Sequence, residues 1–291
     1  MLKIFDNFEK IIKLCTFNSQ RVLYRRGATL EGLNCKKQQI YWINNKMSKK
    51  ILIIIPVRLA STRLPNKPLA DICGKTMVQR VYEQAKKANL GKVIIACDGE
   101  EIAKEAKKFG AEFVITDPNL PSGTDRIYAA YQQMIEENFD VIVNLQGDLP
   151  NIDPNVIIAA AEAASINDCD IATVASKIKN ESEIYNPNVV KIAIAFREKN
   201  LGQALYFSRS AIPYSKNNMG DYFHHIGIYA YKKSALEKFV KLAPSDLEKR
   251  ESLEQLRALE NNMKIFVKVV EAHPLSVDTK EDLEIVINSI L

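Results

Sequence analysis

Three cationic side chains follow the first strongly apolar segment of the chain. Residues 51–57 form a continuous run of apolar, mostly β-branched residues, which is typical of a strand buried on both faces. Arg58, Arg63 and Lys67 come within the next ten residues. Guanidinium groups grip phosphate oxygens two at a time and an ammonium adds a point charge, so this spacing favours a polyphosphate ligand. A solvated basic turn is the alternative interpretation.

Two aspartates could hold the metal ion that a polyphosphate calls for. Asp148 follows the apolar run 141–145, and Asp278 precedes a pattern typical of a helix start. A carboxylate beside a polyphosphate is repelled unless a divalent cation bridges them, and oxygen ligands of this kind suit Mg²⁺. Each aspartate also fits a plain role as a turn former or helix cap.

A third candidate segment, Ser122-Gly123-Thr124-Asp125-Arg126, comes directly before a helical pattern. The first turn of a helix has free backbone N–H groups and a field that attracts anions or base carbonyl groups. We therefore interpret this segment as a second contact for a nucleotide, with an ordinary capping loop as the alternative.

The elements that must position these residues alternate along the first half of the chain. Apolar runs and helical spacing predict strands at 51–57, 93–97, 113–115 and 141–145, and helices at 76–88, 100–109, 125–135 and 154–164. This order predicts an α/β fold with a doubly wound, mostly parallel sheet, whose strand ends form the ligand-binding edge. Neither G-x-G-x-x-G after a strand nor a P-loop motif occurs, so those two nucleotide-binding modes are not indicated.

The second half of the chain has a less regular pattern. Strands are predicted at 171–175, 189–195, 226–231 and 265–270, a helix at 246–260, and a terminal helix after 277–279. We interpret residues 47–165 as a nucleotide half. Residues 166–270 would form a smaller, strand-rich lobe, and residues 271–291 would return to the main sheet.

The net positive charge of the protein comes from the first 46 of the 291 residues. That segment has nine Lys/Arg and three Asp/Glu, whereas the remainder has 31 and 32. A general nucleic-acid-binding surface is therefore not expected outside residues 1–46. We predict that this extension is dispensable, with a transit peptide or a basic arm as alternatives. No apolar run approaches 18 residues and the five cysteines are scattered, which predicts a cytoplasmic protein with reduced thiols and no membrane insertion.

The pattern P-x-R-x-x-S-x-R-L-P-x-K-P-L at 56–69 resembles the nucleotide-binding loop of the sugar-acid cytidylyltransferases, and most closely that of the CMP-Kdo synthetase (3-deoxy-manno-octulosonate cytidylyltransferase) family. The resemblance runs from about 51 to 291, with its motifs in family order. Q-G-D-x-P at 146–150 and V-D-T-x-E-D-L at 277–283 match motifs whose aspartates, here Asp148 and Asp278, hold the catalytic Mg²⁺. The resemblance implies a nucleotide-binding set of Arg58, Ser61, Thr62, Arg63, Lys67, Asp98, Ser122, Gly123, Thr124, Arg126 and Gln146.

Three further motifs point to the sugar acid. They are Y-F-S-R-x-x-I-P at 206–213, H-x-G-I-Y at 225–229 and L-E-Q-L-R at 253–257. The resemblance implies that the sugar acid is bound by Arg209, His225, Tyr229, Glu254 and Gln255. Without it, His225 is typical of a core histidine, and Glu254 and Gln255 are typical of an ordinary helix face. The chain departs from the family at Leu149, where the family usually has Glu.

The resemblance implies that CTP and Kdo react to give CMP-Kdo and pyrophosphate, for lipopolysaccharide assembly, in a homodimer whose only cofactor is Mg²⁺. The catalytic residues would be Arg58, Lys67, Asp148 and Asp278. A cytidylyltransferase for another sugar acid is one alternative. A glycosyltransferase is another, although the D-x-D motif expected after the fourth strand is missing. Leu149 leaves open a nucleotide-binding protein of weak activity.

Overall fold

The computed structural model describes residues 49–60, 63–216, 220–272 and 274–290. All of these residues belong to one compact unit, Lys49–Leu291. The predicted extension and the two nucleotide-binding candidates Ser61 and Thr62 lie outside the described residues. Within the described part, no helix is long and apolar enough to cross a membrane.

The strands and helices follow closely the alternation predicted for the first half. The strands are β1 (Ile51–Val57), β2 (Asp71–Ile72), β3 (Lys75–Thr76), β4 (Lys92–Cys97), β5 (Glu112–Ile115), β6 (Val141–Asn144), β7 (Ile171–Lys177), β8 (Lys191–Glu198), β9 (Leu201–Ser208), β10 (Phe223–Lys232) and β11 (Ile265–Val270). The helices are α1 (Met77–Lys87), α2 (Glu100–Lys108), α3 (Gly123–Gln132), α4 (Pro154–Ala164), α5 (Glu181–Tyr185), α6 (Lys233–Phe239), α7 (Asp246–Glu251), α8 (Leu256–Glu260) and α9 (Lys280–Ile290).

One mixed sheet runs through the whole described unit, in the order β5-β4-β1-β6-β10-β7-β11-β9-β8. The first four of these strands are parallel, and β10 is antiparallel to both β6 and β7. The predicted α/β class and the parallel first half are confirmed. The strands of residues 166–270 extend the same sheet, so the lobe inferred from the sequence is continuous with the nucleotide half.

β1 lies inside this sheet, and every one of its residues is buried. Ile53 and Ile55 pack with α1 and α4 on one face, whereas Leu52 and Ile54 pack with α3 on the other. A strand covered by helices on both faces needs apolar residues at every position, which explains the unbroken run in the sequence. β1 and β6 therefore end at the same edge of the sheet, with Arg58 and Asp148 just beyond them.

One predicted helix is wrong. Residues 246–260 form two short helices, α7 and α8, because Ser252 adopts a left-handed conformation with φ 54°. α7 begins with a capping box between Ser245 and Glu248. The break places Glu254 and Gln255 in the short connection that enters α8, rather than on the face of one long helix.

The terminal segment returns to the nucleotide half, next to the loop after β1. Val277 and Val286 are fully buried in a small apolar cluster with Leu64, Ile72 and Met77. This packing anchors α9 and carries Asp278 back to the loop that bears Arg63 and Lys67.

Candidate active site

A cavity of about 650 Å³ opens at the carboxyl ends of β1 and β6. Nine of the predicted catalytic and nucleotide-binding residues line it: Arg58, Arg63, Lys67, Ser122, Gly123, Arg126, Gln146, Asp148 and Asp278. Pro56, Gly147 and Pro121 also contribute to the wall and were not predicted. A Cβ on Gly147 would lie 3.1 Å from the Pro56 carbonyl oxygen, so the close approach of these two strand ends favours glycine.

Lys67 lies between the two aspartates that the sequence predicts as metal ligands. Its Nζ is 3.0 Å from Asp148 Oδ2 and 3.0 Å from Asp278 Oδ1, and Arg63 Nη2 is 3.2 Å from the same Asp278 oxygen. Burial alone would lower the pKa of Lys67, but the charges and hydrogen bonds of Asp148 and Asp278 outweigh it and raise that pKa. We call Arg58, Arg63, Lys67, Asp148 and Asp278 the phosphate cluster.

A backbone hydrogen bond holds the two aspartate loops together. The Val277 N–H donates to the Asp148 carbonyl oxygen at 3.0 Å, although 129 positions separate the two residues. The Asp282 carboxylate accepts from the N–H groups of Asp278 and Thr279, which fixes the turn before α9. No sequence pattern signals the contact between Val277 and Asp148, because it depends on tertiary packing.

The two carboxylates fit a divalent cation. One oxygen of each already lies 3.0 Å from a single positive atom, so the pair converges on one point. Among the described residues, no group of three or more His, Cys, Asp or Glu side chains could enclose a metal ion. Mg²⁺ is commonly held by one or two carboxylates together with substrate phosphates and water, and this donor set matches that arrangement.

The first turn of α3 forms another wall of the cavity. Ser122 is its N-cap, and the Ser122 hydroxyl oxygen accepts from the Asp125 N–H at 3.1 Å. Arg126 donates to the Thr116 hydroxyl at 2.6 Å and to the Asp117 carbonyl oxygen at 3.2 Å. Burial lowers the pKa of Arg126. These contacts fix a nearly buried guanidinium at the cavity wall.

Asp98 and Thr124 do not line this cavity, although the sequence analysis places both in the nucleotide site. The Asp98 carboxylate accepts from the Leu59 N–H at 3.0 Å and 3.2 Å, which shapes the loop after β1. The Thr124 hydroxyl donates to Glu254 Oε2 at 2.6 Å. In the free protein both side chains therefore contact other parts of the chain, and their contact with a nucleotide stays a prediction.

His225 and Tyr229 lie in the core of the sheet, on β10. The His225 ring is buried, with Nε2 3.0 Å from the Thr173 hydroxyl and an edge-on contact to Phe207. Burial, together with the charge of His224, lowers the pKa of His225 to about 3, so the ring is neutral at neutral pH. Burial also raises the pKa of the Tyr229 phenol, which keeps it protonated.

Glu254 and Gln255 present polar atoms that lack a protein partner. Glu254 Oε1 and Gln255 Nε2 are buried and have no hydrogen-bond partner among the described residues. Burial raises the pKa of Glu254, and the hydrogen bond from Thr124 opposes that shift. A buried acceptor beside a buried donor suits a ligand with hydroxyl groups. We call His225, Tyr229, Glu254 and Gln255 the sugar-acid cluster.

Arg209, predicted to grip a carboxylate, is engaged with the protein backbone. Its guanidinium donates to the carbonyl oxygens of Glu251 at 2.8 Å, Pro187 at 3.0 Å and Ser252 at 3.5 Å. The Glu251 carboxylate accepts in turn from the Arg209 N–H. The side chain therefore holds the end of α7 and the Ser252 bend in place.

Sequence reasoning missed the ion pair that fixes the other side of this bend. Arg257 Nε donates to Glu248 Oε2 at 2.8 Å, and Nη1 donates to the Leu242 carbonyl oxygen at 3.3 Å. The hydrogen bond with Glu248 raises the pKa of Arg257. In the sequence, Arg257 is only the last residue of L-E-Q-L-R, and an arginine in a helical pattern gives no sign that its side chain is buried.

Leu149, the departure from the family pattern, is 5% exposed and belongs to the large apolar cluster of the sheet. The Leu149 side chain is therefore part of the apolar core.

Known proteins resemble this chain over most of its length. A family model described as cytidylyltransferase matches residues 52–265. The chain is 50% identical over 234 residues to a 3-deoxy-manno-octulosonate cytidylyltransferase of Parvibaculum lavamentivorans, covering 80% of this chain and 90% of that protein. It is also 50% identical to the protein of the same name from Bartonella henselae, covering 82% of this chain and 97% of that protein.

Two solved structures are informative. The structure of a CMP:2-keto-3-deoxy-manno-octonic acid synthetase complexed with CTP is similar, with a TM-score of 0.76, 36% identity, and coverage of 83% of this chain and 98% of that chain. A 4-diphosphocytidyl-2C-methyl-D-erythritol synthase from Anaerococcus prevotii shares the fold at 12% identity, with a TM-score of 0.54 and coverage of 83% and 98%.

Proposed function

The chain belongs to the 3-deoxy-manno-octulosonate cytidylyltransferase family, and from that premise we propose that it activates Kdo with CTP to give CMP-Kdo and pyrophosphate, in a reaction that depends on Mg²⁺. The observation that carries the proposal is the phosphate cluster. Two carboxylates converge on one point at the end of β1 and β6, with three cationic side chains beside them.

The chemistry asked of the protein is positioning and neutralisation of charge. The anomeric hydroxyl of the sugar attacks the α-phosphorus of CTP in line, and the bond to the β-phosphate breaks as pyrophosphate leaves. Arg58, Arg63 and Lys67 hold the triphosphate and neutralise the charge that develops on the leaving group. Asp148 and Asp278 would hold Mg²⁺, which would polarise the phosphate and favour loss of the proton of the attacking hydroxyl to solvent.

Lys67 changes partners in this scheme. In the free protein its ammonium neutralises Asp148 and Asp278 together with Arg63. A bound triphosphate offers both cations new anionic partners, so they can release the carboxylates to a divalent cation. The metal ion and the nucleotide are therefore expected to bind jointly, because each supplies counter-charges for groups that the other displaces.

The cytidine end is proposed to lie at the first turn of α3, where Ser122 and Gly123 line the cavity. The sugar acid is proposed to contact the sugar-acid cluster, with its hydroxyl groups satisfying Glu254 Oε1 and Gln255 Nε2. His225 would take part as a neutral ring. Arg209 is proposed to act by holding the segment that carries Glu254, since its three nitrogens donate to backbone carbonyl groups.

Three further features are proposed from the family resemblance: a cytoplasmic location, a homodimer, and supply of activated Kdo for lipopolysaccharide. The main alternative is a cytidylyltransferase for another sugar acid. A protein of weak activity is the second alternative, and it rests on Leu149, which packs in the apolar core.

The test is pyrophosphate release with Mg²⁺ and Kdo, comparing CTP, UTP, ATP and GTP. We expect release that depends on Kdo and is confined largely to CTP. A panel of other sugar acids at fixed CTP separates the main alternative, which requires faster release with one of them. Absence of release with every nucleotide and every acid would refute the proposed reaction.

A further inference from the structure

A hydrogen bond connects the nucleotide-binding helix start to the segment proposed to bind the sugar acid. The Thr124 hydroxyl, in the first turn of α3, donates to Glu254 Oε2 at 2.6 Å across 130 positions of sequence. Ser122, the N-cap of α3, lines the nucleotide cavity and an adjoining cavity of about 630 Å³, of which Glu254 forms part. The hydrogen bond between Thr124 and Glu254 therefore joins the two proposed substrate regions.

The direction of this bond follows from the chemistry of its two partners. A threonine hydroxyl has one proton to give, and a carboxylate oxygen accepts. Thr124 therefore donates its proton to Glu254.

The two oxygens of Glu254 have different surroundings. Oε2 is held by Thr124, whereas Oε1 is buried with no partner among the described residues. A buried carboxylate oxygen without a donor is unfavourable, and a ligand hydroxyl removes that cost. Thr124 therefore fixes the rotamer in which Oε1 is presented to a ligand.

We propose that Thr124 is a positioning residue that couples the two substrates: nucleotide bound at the start of α3 orders Thr124, and Thr124 orders Glu254 for the sugar acid. This inference rests on the proposed function. It reassigns Thr124, since its hydroxyl faces Glu254 and the residue does not line the nucleotide cavity. Ordering by the first ligand lowers the entropic cost of binding the second, and by linkage each substrate tightens the other by the same factor.

The experiment measures CTP affinity by calorimetry with Mg²⁺, with and without a saturating 2-deoxy analogue of Kdo. The analogue lacks the attacking hydroxyl, so no turnover occurs. Wild-type protein is expected to bind CTP at least fivefold more tightly when the analogue is present. Thr124→Val keeps the side-chain shape and removes the hydroxyl. It should lose most of this tightening while changing CTP affinity without the analogue less than about twofold.

Two variants control for a general effect on folding. Thr124→Ser retains the hydroxyl and should retain the tightening. Thr124→Ala also removes the hydroxyl, without adding bulk, and should lose the tightening as Thr124→Val does. Melting temperatures of all variants are recorded, and if Thr124→Val does not fold, Thr124→Ala decides the question.

The outcomes separate this inference from the proposed function. Wild-type protein that does not bind the analogue would refute the proposed sugar-acid substrate and the inference together. Wild-type protein that binds both ligands without mutual tightening would refute only the coupling. Weaker CTP binding by Thr124→Val with the tightening intact would show that Thr124 contacts the nucleotide. Tightening unchanged in Thr124→Val, or in Thr124→Ala if Thr124→Val does not fold, would also overturn the inference.

Discussion

The phosphate cluster and the sugar-acid cluster are built on the same sheet and its connecting loops, but they differ in how the protein surrounds their polar groups. In the phosphate cluster the charges neutralise one another at the wall of an open cavity. The side chains of Arg63 and Asp278 are 65% and 40% exposed, and those of Lys67 and Asp148 are 17% and 25% exposed. In the sugar-acid cluster the polar groups are part of the core, where His225 and Gln255 are 7% and 6% exposed.

This difference predicts which property a substitution will change. Exposed ion pairs contribute little to folding stability, because water screens them and each partner is solvated when the other is removed. A buried charge that loses its partner is strongly unfavourable. Substitutions in the phosphate cluster should therefore reduce activity with little effect on stability, whereas substitutions around the sugar-acid cluster should reduce both.

The largest expected effect is on turnover, from Asp148→Asn. The change keeps the shape of the side chain but removes the charge that pairs with Lys67 and is proposed to hold Mg²⁺. Turnover should fall about a thousandfold, comparable to the loss of a group that stabilises transition-state charge. The free energy of unfolding should change by less than about 1 kcal/mol, because Lys67 keeps Asp278 as an anionic partner. Steady-state pyrophosphate release and urea unfolding measure the two quantities.

Asp153→Asn is the matched control. Asp153 is an exposed N-cap of α4 whose side chain accepts from the Asn155 N–H, and asparagine caps helices equally well. This variant should leave turnover and stability unchanged. Wild-type turnover in Asp148→Asn would disprove the metal assignment, and a large loss of stability would break the contrast between the two clusters.

The second effect is on stability, from Arg257→Met beside the sugar-acid cluster. The change leaves the Glu248 carboxylate without its main partner, in a pair whose side chains are 9% and 13% exposed. We expect a loss of about 3 kcal/mol in the free energy of unfolding, measured with urea. The double variant Arg257→Met/Glu248→Gln should recover part of the loss, because the unpaired charge is gone while the capping box keeps its acceptor.

An exposed pair provides the comparison for this prediction. Lys264 and Asp168 form a salt bridge with side chains 44% and 52% exposed. Lys264→Met should cost less than about 1 kcal/mol. Equal costs for Lys264→Met and Arg257→Met would show that burial does not distinguish these pairs.

The sequence predicted the phosphate cluster well because its signals are local. The apolar run of β1 is typical of a strand buried on both faces, and the cationic loop follows it directly. Parallel strands end at one edge, so Arg58 and Asp148 were predicted to meet without any knowledge of the sheet order. The family resemblance supplied Asp278, whose position depends on the packing of α9.

The sugar-acid cluster was predicted only as a set of residues, because its geometry is long-range. Ser252 has no sequence signal for a left-handed conformation, and the break it causes was missed. The contact of Thr124 with Glu254 joins residues 130 positions apart, and Arg209 uses its donors on backbone carbonyl groups. Hydropathy patterns describe which face is buried, but they do not identify the partners of a buried polar side chain.

The smallest expected effect is a pH dependence of stability, which tests whether His225 belongs to the core. Its pKa is about 3 in the folded protein, against an ordinary value near 6.5, because burial and the charge of His224 disfavour the protonated ring. The folded state therefore binds fewer protons than the unfolded state between these values. The stabilisation is present above pH 6.5 and is lost as the pH falls towards 3.

The loss attributable to His225 between pH 6.5 and 5.5 should be about 1 kcal/mol. It is measured as the difference in the pH slope of urea unfolding between wild type and His225→Asn. Glu254 has the opposite sign, since burial raises its pKa, but its contribution is common to both proteins and cancels. His224→Asn, one position away and only half-buried, should keep most of the wild-type slope. An unchanged slope in His225→Asn would mean that this ring is accessible to protons, and the sugar-acid cluster would then resemble the phosphate cluster in its exposure to water.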